Sequence, residues 1–183
     1  MAIDKVISAS IATDAVGPTQ LNEASNYAFT GTVTGAGESN IPLFHVNCSG
    51  NQSVSDNTNT KITNWGTPTI DTASGWDSSN NKYTIQTAGK YLIYATFSPF
   101  DTSANGVLRE ATLTVYKNGS SMVADGIGFT GDCTSLNPKV HFTTTLAQND
   151  YIELYGIHNT AGSSPLFHCS SDKSHWTIMF ITS

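Results

Sequence analysis

From Leu43 to Ile181 the chain divides into short runs rich in β-branched and aromatic residues, separated by clusters of Gly, Asn, Ser, Thr and Asp. Such runs read as strands joined by turns. They are Leu43 to Cys48, Thr67 to Asp71, Lys82 to Gln86, Lys90 to Phe97, Leu108 to Lys117, Ser121 to Phe129, Lys139 to Thr145, Tyr151 to His158 and His175 to Ile181. In Ala111, Leu113, Val115 and in Trp176, Ile178, Phe180 the apolar residues recur at period two, which sets one face of each strand on a core. Only 12% of residues are charged, and Thr, Ser, Asn and Gly are abundant, a composition that suits an all-β domain better than a helical one. With 183 residues the chain is sized for one core, expected as a sandwich or jelly roll.

The net charge is −6, and the eight Lys and Arg residues are scattered singly. There is no basic stripe for phosphates or anionic lipid, so nucleic acid and membrane surfaces are set aside as partners. No stretch reaches the roughly 20 apolar residues needed to span a bilayer. The opening residues Met1 to Ile7 lack a basic segment followed by an apolar one, so synthesis in a cytoplasm without a signal peptide is expected. Cys48, Cys133 and Cys169 are odd in number and show no CxxC spacing, which predicts free thiols rather than a disulfide framework.

Residues 1–40 differ from the rest. Spaced apolar residues, a Gly17-Pro18 break and a glycine-rich stretch ending at Gly37 read as an attachment arm. Its Ile3, Val6, Ile7, Ile11, Val16 and Leu21 cannot bury themselves and are expected to pack on another chain. Residues 41–183 then form the folded domain.

Connection lengths give the domain a polarity. Thr87-Ala88-Gly89, Asn118-Gly119 and Leu146 to Asp150 are tight, and Asn-Gly is a strong hairpin signal. Ser49 to Gly66, Ser98 to Val107, Thr130 to Pro138 and Asn159 to Ser174 are long. If consecutive strands reverse direction, the tight turns and the arm share one end, and the long segments gather at the other, where binding loops sit on a rigid scaffold.

Gly75-Trp76-Asp77 through Lys82-Tyr83-Thr84-Ile85 to Ala88-Gly89-Lys90-Tyr91-Leu92-Ile93 resembles the signature of the C1q/TNF-like superfamily, and three later segments match in order. These are Leu113 to Gly119, Leu146 to Tyr155 and Trp176 to Ile181. Ala88 stands where the family usually has Pro, Asn81 and Asn149 where it often has Gly, and Ile93 where it prefers Phe. The resemblance spans roughly Ile41 to Ser183 and implies a ten-stranded jelly roll assembling as a homotrimer, with termini at the base and variable loops at the apex. The arm is similar to N-terminal segments of bacteriophage tail-fibre and other virion proteins.

Together these resemblances imply a non-enzymatic virion protein, a trimeric fibre or knob held to the particle by its arm and touching a host-surface glycan or protein with its distal loops. A capsid decoration or head-fibre protein is the first alternative and an exported bacterial C1q-like lectin the second. Expected contact residues are Phe100, Asp101, Phe129, Asp132, His158, Asn159, Phe167, His168 and Lys173, exposed aromatics among hydrogen-bonding groups. The competing reading of the rings is that they cap the barrel end. No cofactor is expected; calcium on Asp101, Asp132 or Asp172 would be in keeping with the family, but their spacing defines no site. The repeated tetrapeptides Pro42 to His45 and Pro165 to His168, each shortly before a cysteine, admit a His/Cys metal site or simple core packing. Neighbouring pairs such as His168 and Cys169 point to opposite faces of a strand, which argues against a nucleophile and base acting together.

Overall fold

A computed structural model describes residues 41–169 and 173–183. The expected arm residues Ile3, Val6, Ile7, Ile11, Val16 and Leu21 lie outside the described part, as does Asp172. The described chain contains no helix and forms fourteen strands. In chain order they are β1 (Leu43–Asn47), β2 (Gln52–Ser53), β3 (Thr60–Lys61), β4 (Ile70–Asp71), β5 (Trp76–Asp77), β6 (Lys82–Thr84) and β7 (Gly89–Thr96), followed by β8 (Ser98–Asp101), β9 (Leu108–Lys117), β10 (Ser120–Cys133), β11 (Lys139–Leu146), β12 (Tyr151–Thr160), β13 (Pro165–His168) and β14 (His175–Thr182).

Two antiparallel sheets make the jelly roll. One runs β11-β7-β14-β1-β4, the other β10-β9-β12-β6-β5 with β3 added beside β12, so each main path has five strands, the ten expected. Alternation supplies the core between them. Phe44 and Val46, Tyr91, Ile93 and Ala95, and Trp176 and Ile178 face inward from the first sheet; Ala111, Leu113 and Val115, and Ile152 and Leu154 meet them from the second. At the centre, Phe44 packs on Trp76, Tyr83 and Trp176 with ring centroids 5.3, 4.6 and 5.1 Å away, within the range where aromatic pairs add stability beyond burial.

The tight connections share one pole. Asn118 and Gly119 have φ of 52° and 78°, the left-handed pair a two-residue hairpin needs to match strand twist. Asn81 and Asn149, replacing the glycines of the resembling family, adopt φ of 48° and 71°, which Asn tolerates because its short polar side chain bonds locally. The turns are tied to one another: Ile85 N–H donates to Asp150 O at 2.8 Å, Asn118 Nδ2 to Asp150 Oδ1 at 2.7 Å, and Tyr151 N–H to Asn118 Oδ1 at 2.9 Å. Lys117 adds an ion pair to Asp150. Burial pushes the Asp150 carboxyl up, but the Ala147 N–H, Asn118 and Lys117 outweigh it and hold it below its ordinary value. Phe180 N–H donates to Pro42 O at 2.9 Å, so the domain's first and last strands meet at this same pole.

The long connections are more structured than their composition implies. Parts of three of them pair as a third sheet, β2-β13-β8, with Leu166 opposite Phe100 and Ser53. Ser49 to Gly66 also descends the flank, where β3 pairs with β12 at Tyr155 and Gly156. Strands of two to four residues are too short to show a period in sequence.

The free-thiol expectation is corrected as well. Cys48 and Cys169 form a disulfide, with Cα atoms 5.3 Å apart, and only Cys133 is free. The odd count concealed a pair plus one: β1 and β13 both end at the pole opposite the turns, which brings residues 121 positions apart into contact.

Candidate functional site

Two surfaces stand out, the pole opposite the tight turns and the outer face of the β11-β7-β14-β1-β4 sheet.

At that pole the polar groups mostly bind the protein's own loops. Asp101 is 2% exposed and accepts from Ser103 N–H at 2.8 Å, Ser103 Oγ at 2.5 Å, Thr160 Oγ1 at 3.2 Å and Ser164 N–H at 3.3 Å. Burial raises its pKa, yet these hydrogen bonds win and hold it below the ordinary carboxylate value. His158 is wholly buried, and among the described residues neither ring nitrogen has a hydrogen-bond partner. Burial depresses its pKa, opposed by the nearby charges of Asp101 and Asp56. Phe167 is 1% exposed, packed edge-on against Phe97 with centroids 5.0 Å apart.

Asp101, His158 and Phe167 are therefore corrections to the expected contact set. Alternation along β12 and β13 turns His158 and Phe167 inward, and Asp101 is enclosed by the loops it fastens. The others reach the surface to different degrees. Phe129 is exposed on β10, Phe100 and His168 are half-buried against each other with centroids 5.5 Å apart, and Asn159 is half-buried opposite Glu110. Asp132 is paired with Arg109 at 2.9 Å, and Lys173 is exposed. Among the described residues no three His, Cys, Asp or Glu side chains converge as a metal-binding group.

The sheet face is the feature that sequence reading missed. Its outward residues fall into cross-strand rows set by register: Leu43, Met179, Leu92 and Thr143; then Ile70, His45, Thr177, Tyr94 and His141; then Asn47, His175, Thr96 and Lys139. Among the described residues, four of the five exposed large hydrophobic side chains, Ile41, Ile70, Met179 and Ile181, lie on or beside it. Strands β1, β7, β11 and β14 contain no Asp or Glu, in a chain of net charge −6. Three imidazoles sit within it: His45 Nδ1 is 2.8 Å from Thr177 Oγ1, the His175 ring stacks on Tyr94 at 5.2 Å, and His141 lies opposite Tyr94 on β11. Burial, and then electrostatic repulsion from the His45 side and from Lys139, keep His175 below its ordinary pKa.

No family model matches the chain, and no curated protein does either. Solved structures do. Eiger TNF from S. frugiperda aligns at 14% identity over 78% of this chain and 94% of its own, with a TM-score of 0.58. Murine APRIL aligns at 14% identity over 77% of this chain and 99% of its own, with a TM-score of 0.58. The globular domain of zebrafish complement 1qA aligns at 12% identity over 77% and 97%, with a TM-score of 0.54. The fold is that of the TNF and C1q globular domains.

Proposed function

We propose that this chain is a non-enzymatic, homotrimeric knob of a bacteriophage particle, anchored through residues 1–40 and recognising a host-surface glycan or protein with the pole opposite its tight turns. The observation that carries the reading is the division of labour over the surface. The described chain starts and finishes at one pole, most of the long connections gather at the other, and between them lies a sheet face whose strands β1, β7, β11 and β14 carry no Asp or Glu. Identical copies of an acidic protein repel one another, so a face without carboxylates is where they can share a contact. Met179 on its central strand β14 and Ile70 on its edge strand β4 are exposed and supply the driving force.

The Cys48–Cys169 disulfide favours work outside a reducing cytosol, as a virion protein does after lysis. The same bond favours the second reading, an exported lectin, and the genes flanking this one separate the two: virion genes support the first, secretion genes the second. Three copies presenting one weak site each gain by multivalency.

The assembly is tested by light scattering on the purified chain, with mass at three times 19.5 kDa expected. Met179→Asp, which sets a carboxylate amid the apolar row, is expected to yield monomer. A parent chain that is already monomeric at micromolar concentration sinks the assembly. Recognition is tested by competition, in which an excess of purified chain blocks adsorption of the parent particle to host cells; undiminished adsorption refutes it.

A further inference from the structure

All three tryptophans of the chain, Trp65, Trp76 and Trp176, meet at one flank of the sandwich. Trp65 pairs with Cys48 beside β1, at the edge of the first sheet, and Trp76 lies on β5, the last strand of the second. Between those edges is a concavity of about 400 Å³, in the size range of small-ligand pockets. Its two indoles belong to the core, so the hollow lies between the sheet edges and not on the outer face where copies meet.

The floor is apolar and the rim is hydroxylic. Trp65 is 7% exposed and Pro68 and Trp76 are half-buried, whereas Ser49, Thr67 and Ser78 are exposed, so among the described residues the mouth is open to solvent. The wholly buried Trp176 backs both indoles, with centroids 6.1 Å from Trp65 and 5.7 Å from Trp76, and holds them in place. Phe44 stacks on Trp76 at 5.3 Å with the planes 28° apart, which covers one face of that indole and leaves the other for the hollow it lines.

No Asp, Glu, Lys, Arg or His lines the concavity, in a chain of net charge −6. An anionic ligand finds no cation there and a cationic ligand no carboxylate. A wholly apolar ligand would strip water from the rim hydroxyls without replacing their bonds. A neutral sugar ring suits both surfaces: its C–H face lies against the electron-rich face of an indole, and its hydroxyls exchange bonds with serine and threonine, which donate and accept.

We infer that this hollow is a subsite for one ring of a neutral saccharide, stacked on Trp76 and bonded through its hydroxyls to Ser49, Thr67 and Ser78. The inference rests on the host-recognition reading for the source of the sugar and names its chemical class. It moves recognition from the expected ring residues Phe100, Phe129 and His168 to the flank.

The test is saturation-transfer NMR and calorimetry on the full chain with maltotriose, cellotriose, mannotriose and β-1,4-galactotriose, and with trigalacturonate and cyclohexanol as comparisons. At least one neutral trisaccharide is expected to bind, with its ring C–H protons saturated most strongly, and both comparison probes to bind more weakly. Thr67→Leu with Ser78→Leu removes two rim hydroxyls and narrows the mouth at exposed positions; it is expected to weaken binding about tenfold or more while the melting temperature stays unchanged. Trp76→Phe, which shrinks the stacking wall, is expected to weaken it similarly. No neutral trisaccharide bound at millimolar concentration, trigalacturonate or cyclohexanol bound as tightly as the best of them, or undiminished binding by either variant overturns the subsite. A rim variant that loses the sugar yet still blocks adsorption overturns the subsite's role in recognition. A parent chain that binds the sugar without blocking adsorption retires the host reading and leaves the subsite standing.

Discussion

Removing the Cys48–Cys169 link is the sharpest test of how the pole opposite the turns is held. The bond closes a loop spanning 121 positions, from the end of β1 to the residue after β13. Cross-linking at that separation removes conformational entropy from the unfolded chain, worth about 5 kcal/mol on the loop-closure relation, although measured values commonly reach only about 2–5 kcal/mol. For a domain of about 150 residues each kcal/mol moves the melting temperature by roughly 2–4 °C, so a fall of about 4–20 °C is expected. The assay is scanning calorimetry on three proteins: the parent, the Cys48→Ser/Cys169→Ser variant and Cys133→Ser. Cys133 is the control, because it is half-buried and unpaired, and its loss is expected to shift the melt by no more than a few degrees. Alkylation after denaturation without reductant is expected to label one thiol per chain. Labelling of three thiols, or a double variant melting within 2 °C of the parent, would refute the reasoning.

Acid is expected to destabilise the domain in two stages. His158 is buried neutral with a folded pKa below its unfolded value, so its contribution is complete above about pH 6.5 and is lost as pH falls from there toward the folded pKa. Asp101 has a depressed pKa, so its share persists to about pH 4 and is lost as pH falls through the folded value below that. Urea midpoints at pH 8, 6, 5 and 3.5 check both; a midpoint flat from pH 8 to pH 5 contradicts the His158 assignment. Gly156→Ala is expected to cost about 1–3 kcal/mol by overpacking, since a methyl there would lie 2.8 Å from Phe167 Cζ and 3.1 Å from Phe97 Cζ, both rings buried. Chemical denaturation measures it, and an unchanged midpoint would show that those rings can move. Phe44→Ala is expected to cost about 3–5 kcal/mol, because the ring is fully buried against Trp76, Tyr83 and Trp176.

The long strands were readable because each has several alternations and a turn with its own chemistry. Leu108–Lys117 matches its expected bounds, and Asn118-Gly119 makes the hairpin it signals. The polarity followed from connection lengths alone. What stayed hidden is whatever depends on pairing between distant segments. The β2-β13-β8 sheet rests on strands of two to four residues, and the disulfide on a contact 121 positions apart. The contact residues suffered most. Phe167 looks exposed when counted as a loop residue but becomes a core residue once β13 includes it, and His158, the last residue of its expected strand, faces the core on β12. Alternation in Lys90 to Phe97 does place Leu92, Tyr94 and Thr96 on one side, yet only the register with β11 and β14 reveals a face free of carboxylates.

The hydrogen bond from Phe180 to Pro42 has a practical corollary for engineering. It places the beginning of β1 beside the finish of β14, so a short glycine-serine linker could join Ser183 to Ile41 while new ends are opened at the exposed Ser103-Ala104-Asn105 stretch. Such a circular permutant would carry its fusion partners at the pole opposite the tight turns, turning the domain's orientation into a choice made at the level of the gene.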